Sequence, residues 1–162
     1  EYPDLTEKGN FTLLVKDLRA AIKKNNSDHL VTMAAFSSKA ANFDFSNSSQ
    51  YLDYINIMTY DMDSSSAVQF HNALYHKSGK DYCSLDNVMK GTGAINLGYN
   101  NLGIPYSKLL IGIPFYGRKY TGVTALKQTV SSRTSVGYNT IYNNFISKID
   151  GTNIVRYFDE DC

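Results

Sequence analysis

The sequence predicts an α/β domain built on a parallel sheet, and three observations carry that expectation. Segments with a helical apolar period alternate with short apolar runs, so the middle of the chain reads α-β-α-β-α-β. The runs HLVTMAAF (29–36), YINIM (54–58) and KLLIGIPF (108–115) are nearly continuous, the pattern of strands covered on both faces. The connections between them exceed hairpin length, which suits right-handed crossovers.

The first helical period starts at Asn10, a reasonable N-cap residue, and places Phe11, Leu14, Val15, Leu18 and Ile22 on one face. Lys23 and Lys24 suit the negative end of that helix. The first strand run follows, then a polar stretch, SSKAANFDFSNSS, and then YINIM. After Asp61 comes a loop of roughly twenty residues, a length that in compact domains marks either function or disorder. Ser84 opens a second helical period through Leu85, Val88, Met89, Ile95, Tyr99 and Leu102, stopped by Gly103 and Pro105. The third strand run completes the series. Beyond Tyr116, residues 121–137 read as irregular, Tyr138 to Ile149 as an amphipathic helix, and NIVRYF (153–158) as a strand.

Bulk properties narrow the function classes. A chain of 162 residues suffices for one domain with a single core, and 43% hydrophobic and 19% charged residues are ordinary for a globular protein. A net charge of +1 argues against a nucleic-acid or membrane-surface partner recruited by a basic face. No apolar run approaches the roughly 20 residues that cross a bilayer. Cys83 and Cys162 leave three options open: buried thiols, one bridge, or halves of bridges to other segments. Asn10, Asn25 and Asn47 stand in glycosylation sequons, which permit secretion. His71, His76 and Cys83 fit no zinc spacing and read as loop residues, and neither a metal nor a cofactor is expected.

In parallel α/β sheets, ligands gather at the carboxyl ends of the strands. YINIM ends in Thr59-Tyr60-Asp61, and LLIGIPF ends in Tyr116-Gly117-Arg118. Two phenols, a carboxylate and a guanidinium at one rim suit a polar, uncharged ligand rich in hydroxyls and amides. A phosphate ligand calls for a Gly-rich loop, and neither the GxGxxG nor the Walker form is present.

The blocks EYP (1–3), NFT with LLVKDLRAA, INIMTYD (55–61) and GIPYSKLLIGIPFYGRKY (103–120) resemble glycoside hydrolase family 18, the chitinases and their relatives. The final RYFDED is similar to the W-D-E-x-A block of that family's insertion domain. The resemblance implies a (β/α)₈ TIM barrel, of which this chain would carry the end of strand 4 and strands 5 to 7. Residues 1–118 would be a partial barrel and 119–162 the start of a small α/β insertion domain. It implies hydrolysis of β-1,4-linked N-acetylglucosamine, assisted by the sugar's own acetamido carbonyl and retaining the anomeric configuration.

Within that scheme Glu1 matches the last position of D-x-x-D-x-D-x-E and would be the proton donor. Tyr60 would hydrogen-bond the acetamido carbonyl, and Asp61 the sugar's polar groups near the cleaved bond. Tyr2, Met58, Tyr116 and Arg118 would line the cleft. The expected partner is chitin or an N-acetylglucosamine oligosaccharide, bound by a secreted monomer, with the 162-residue piece inactive and poorly soluble alone. Departures also show: the loop after Asp61 lacks the H-G-x-W/F sequence of many animal members, and Tyr157-Phe158 replaces the usual Trp. Three alternatives stay open: a non-catalytic chitin-binding lectin on the same barrel, an endo-β-N-acetylglucosaminidase, and an unrelated doubly wound domain.

Overall fold

In the computed structural model, which describes residues 2–63, 66–75, 84–91 and 98–149, three strands pair in parallel in the order β1 (Thr32–Phe36), β2 (Tyr54–Met58), β3 (Leu109–Ile111). Ala35 lies opposite Ile57 and Ile55 opposite Leu109. The chain divides into two units, one within Glu1–Thr59 and Leu85–Gly112, the other within Tyr60–Ser84 and Ile113–Cys162. The parallel sheet belongs to the first.

Helix α1 (Lys8–Asn25) leads into that sheet. It begins two residues before Asn10, directly after a D-L-T-E turn. The Asp4 carboxylate accepts the N–H groups of Thr6 at 2.7 Å and Glu7 at 3.1 Å, and Glu7 accepts the Asp4 N–H at 3.3 Å. These bonds close the turn that leads into the helix, whose own N-cap residue, Glu7, makes no side-chain cap bond. Those bonds, led by the Thr6 hydroxyl, hold the Asp4 carboxyl below its ordinary range. The predicted apolar face is also narrower than the spacing suggests. Val15 is buried, whereas Leu14 and Leu18 are 56% and 43% exposed.

Burial along the strands alternates instead of covering both faces. In β2, Ile55 and Ile57 are fully buried between exposed Tyr54 and Asn56. Successive strand side chains point to opposite faces, so covering one face buries every second residue. The core of this unit is also aromatic: Phe11, Phe43, Phe45 and Tyr99 form a chain of ring contacts with centroids 5.3–5.8 Å apart. Each such side chain withdrawn from water contributes about 1.5–3 kcal/mol. The Tyr99 hydroxyl, buried with its ring, donates to the Phe36 carbonyl at 2.6 Å, and burial pushes its pKa up.

Polar ties close the edges of this unit. Arg19 pairs with Asp53 at 2.8 Å and donates to the Tyr51 carbonyl, while Asp53 accepts the Val31 N–H at 2.7 Å. Lys108 donates to the Ser49 and Leu52 carbonyls. At the end of β2, the Thr59 hydroxyl donates to the Gly112 carbonyl at 2.7 Å, and the Gly112 N–H returns to Ile57. The second helical period is shorter than the spacing suggests: α3 spans Leu85–Lys90 and stops at Gly91, whose φ is 82°. Among the described residues of this unit the other elements are the short helix α2 (Phe45–Ser48) and single 3-10 turns.

The second unit has a different construction. The segment expected to be the polar end of the third strand is a strand itself, β4 (Tyr116–Tyr120), paired antiparallel with β5 (Arg133–Gly137). The third strand proper ends at Ile111, four residues before Phe115 in KLLIGIPF. Strand β5 falls inside the stretch read as irregular, because RTSVG has no apolar run to announce it. Helix α4 (Tyr138–Asn144) follows at once, and a 3-10 turn over Ile146–Lys148 takes the place of its predicted continuation. Gly117 permits close approach: a Cβ there would lie 2.7 Å from Ile141 Cδ1 of α4. Backbone hydrogen bonds tie Ser66 and Val68 to Lys127, Gln128 and Val130. Glu1, His76, Cys83, Ile95, Cys162 and the predicted strand 153–158 lie outside the described residues.

Candidate active site

Strand geometry sorts the β4 side chains. Tyr116, Arg118 and Tyr120 alternate with Gly117 and Lys119, so the three share one face of the hairpin. On β5, Ser135 stands opposite Arg118 and Arg133 opposite Tyr120. Helix α4 meets Gly117 on the other face. The face away from α4 is therefore wholly polar, and two aspartates of the same unit meet it.

Asp61 is the first. Its φ of 57° is left-handed, a conformation costing about 1–2 kcal/mol for most residues and more readily adopted by Asp. Its Oδ1 accepts the Tyr116 hydroxyl at 2.6 Å and Nη2 of Arg118. The Tyr60 ring meets Tyr116 edge-on with centroids 6.3 Å apart, and the Arg118 guanidinium lies 5.4 Å from the centre of the Tyr116 ring. Among the described residues Oδ2 of Asp61 has no hydrogen-bond partner, and the side chain is 50% exposed. One oxygen is held by two donors, and the other is without a partner among the described residues.

His71 closes the near side. The Asp61 N–H donates to His71 Nδ1 at 3.4 Å, which leaves the ring proton on Nε2. Burial, aided by Arg118, lowers the His71 pKa below 6.5, while Asp63 and Asp61 oppose the shift. The ring is thus neutral at physiological pH, and its 3.8 Å approach to Asp61 Oδ1 is a contact rather than an ion pair. Burial and the bond to Asp61 push the Tyr116 pKa up to about 12, so its hydroxyl stays a donor.

Asp63 is the second aspartate, and its side chain is completely buried. Its Oδ2 accepts the Tyr120 hydroxyl and Arg133 Nη1, each at 2.7 Å. Its Oδ1 lies 3.6 Å from Arg118 Nε. Burial and the bond to Asp63 raise the Tyr120 pKa to about 12.

Of the residues singled out from sequence, Tyr60, Asp61, Tyr116 and Arg118 come together in this cluster. Tyr2 and Met58 belong to the first unit, where Tyr2 packs on Phe36 with centroids 4.1 Å apart and Met58 ends β2. Glu1 lies outside the described residues. Sequence reasoning missed Asp63, His71, Tyr120 and Arg133. One signal for Tyr120 was available, the period-two spacing of polar-tipped residues in YGRKY. Among the described residues no group of His, Cys, Asp and Glu could hold a metal ion, and no helix is long and apolar enough to cross a membrane.

The chain belongs to glycosyl hydrolases family 18, whose family model matches residues 1–160. It is 32% identical over 148 residues to chitinase A1 of Niallia circulans, covering 81% of this chain and 21% of that protein. Its fold matches a family 18 N-acetylglucosaminidase from Paenibacillus barengoltzii with a TM-score of 0.79 at 25% identity, covering 99% of this chain and 52% of that one. It also matches catalytic domain 2 of an Ostrinia furnacalis Group II chitinase, a mutant in complex with penta-N-acetylchitooctaose (TM-score 0.74, 21% identity, covering 91% and 41%). The chain spans about a fifth of the length of the first curated relatives, 21% and 20%.

Proposed function

We propose that the protein containing this chain is a secreted, monomeric chitinase that hydrolyses β-1,4-linked N-acetylglucosamine with retention of configuration. The strands β1, β2 and β3 then serve as strands 5 to 7 of a (β/α)₈ barrel, and residues 119–162 open an insertion domain. Family membership and the parallel order of the three strands support that assignment.

The observation that carries the functional reading is the state of Asp61. A carboxylate fixed at Oδ1 by Tyr116 and Arg118, with Oδ2 unpartnered among the described residues, is prepared to accept hydrogen bonds from a sugar. Its geometry is set before the ligand arrives, so binding spends little free energy on ordering it.

In this reading the Tyr60 hydroxyl donates to the acetamido carbonyl of the sugar. That carbonyl oxygen attacks the anomeric carbon as the glycosidic bond breaks, and the leaving oxygen takes a proton from Glu1. The resulting oxazolinium ion carries positive charge, which a nearby carboxylate stabilises. Tyr2, Met58, Tyr116 and Arg118 line the cleft.

The test is turnover of chitin oligosaccharides by the complete protein, with the first-formed anomer read by NMR. Retention together with loss of turnover in Glu1→Gln is expected. Inverted product, or undiminished turnover in that variant, refutes the mechanism. Binding without cleavage in the unmutated protein would make it a lectin instead.

A further inference from the structure

We infer that Asp63 is a positioning residue that aims Arg118, and through it Asp61, at the sugar; this rests on the functional reading above. Arg118 is committed on three edges. Its Nη2 donates to Asp61, its Nη1 donates to Ser135, and its Nε faces Asp63 Oδ1 at 3.6 Å. The guanidinium is planar, so anchoring Nε and Nη1 fixes where Nη2 points. The Asp63 carboxylate is in turn held at Oδ2 by Tyr120 and Arg133.

Charge balance makes the same point. Arg118 and Arg133 bring two positive charges to this face, and Asp61 and Asp63 bring two negative ones. Asp63 carries its share where no solvent reaches it, while Asp61 is half exposed. The buried acid offsets the buried part of the arginine charge and frees one Asp61 oxygen for ligand. Without it, Arg118 would keep Asp61 as its one carboxylate partner among the described residues.

The buried contact is incomplete in a telling way. Asp63 Oδ1 and Arg118 Nε face each other, and both are buried without a hydrogen bond. At 3.6 Å the pair is an ion pair short of a hydrogen bond. Buried polar atoms are rarely left so, and those that are call for an explanation. A short movement of Arg118 toward Asp63 completes the bond.

The experiment compares Asp63→Asn, Tyr120→Phe and Arg118→Ala, singly and in pairs, in the complete protein. One readout is kcat/KM on chitin oligosaccharides; the other is the Arg118 Nε–H resonance by NMR, which needs no substrate. Asp63→Asn is expected to lower kcat/KM roughly 10- to 100-fold, as a small misplacement of a binding group does, and to displace the Nε–H resonance. Tyr120→Phe should act in the same direction and more weakly, and it serves if Asp63→Asn does not fold. In an Arg118→Ala background Asp63→Asn should add almost nothing, whereas a purely structural role predicts additive losses. An unmoved Nε–H resonance, or additivity in the double variant, overturns the inference. A displaced resonance in a protein whose Asp61→Asn variant cleaves normally would uphold the positioning and refute the sugar-binding reading instead.

Discussion

The two units differ in what organises them. In the first, apolar strands pair in parallel and a run of aromatic rings packs in the core, so polar ties such as Arg19–Asp53 sit at the margins. In the second, the centre of the hairpin face is a charge network of Asp61, Asp63, Arg118 and Arg133, and aromatic side chains such as Tyr138, Tyr142 and Phe145 are about half exposed. Apolar burial is tolerant of direction and supplies stability. Charge networks are directional, desolvation offsets much of their energy, and their product is fixed geometry. The contrast teaches that one unit of this chain is built to hold together and the other to hold a carboxylate in place.

Mutation should break the two in different ways. The largest stability effect is expected from Ile57→Ala, at a fully buried position in the central strand. It should cost about 2–5 kcal/mol, read as a shift in the denaturant midpoint. A shift below about 1 kcal/mol would mean that the sheet is not the seat of stability.

Asp61→Asn should do the reverse. Half exposed, it should change stability by no more than about 1 kcal/mol. It should lower kcat/KM on chitin oligosaccharides roughly tenfold to a hundredfold, the range for losing a hydrogen bond to a charged group. Equal damage to stability and turnover would erase the distinction between the units.

The smallest expected effect sharpens the comparison through pH. The folded-state pKa of His71 lies below 6.5, so the unfolded chain binds its proton more readily. Its contribution is therefore present above pH 6.5 and is lost as pH falls through the lowered folded value. Arg118 disfavours the protonated ring, and Asp61 and Asp63 favour it. Thermal unfolding of His71→Gln should show a flatter acid limb than the unmutated protein, and an identical limb would remove His71 from the network.

How much was legible from sequence follows the same division. The limits of β2 are those of YINIM, because a run of β-favouring apolar residues is a local signal. Tyr60, Asp61, Tyr116 and Arg118 were legible as a set by resemblance, and they do meet. The hairpin that joins them was not. Strand β5 is recognisable only through its pairing with β4, which places Ser135 opposite Arg118. Asp63 resembled any loop aspartate, since the groups that bury it, Tyr120 and Arg133, stand 57 and 70 residues away. The start of α1 differs from Asn10 by two residues, because the Asp4–Glu7 turn places the chain in helical register before Asn10 is reached.

The sequence by itself determined the α/β class, the three strands of the parallel sheet and the residues Tyr60, Asp61, Tyr116 and Arg118 as a set. It does so because side-chain period and apolar run length are properties of neighbouring residues. Tertiary structure alone decided which oxygen of Asp61 is held, which acid is buried, and which face of the hairpin the cluster occupies. Those depend on charges brought together from distant parts of the chain, where Coulomb energy and desolvation follow distance in space and carry no trace in local order.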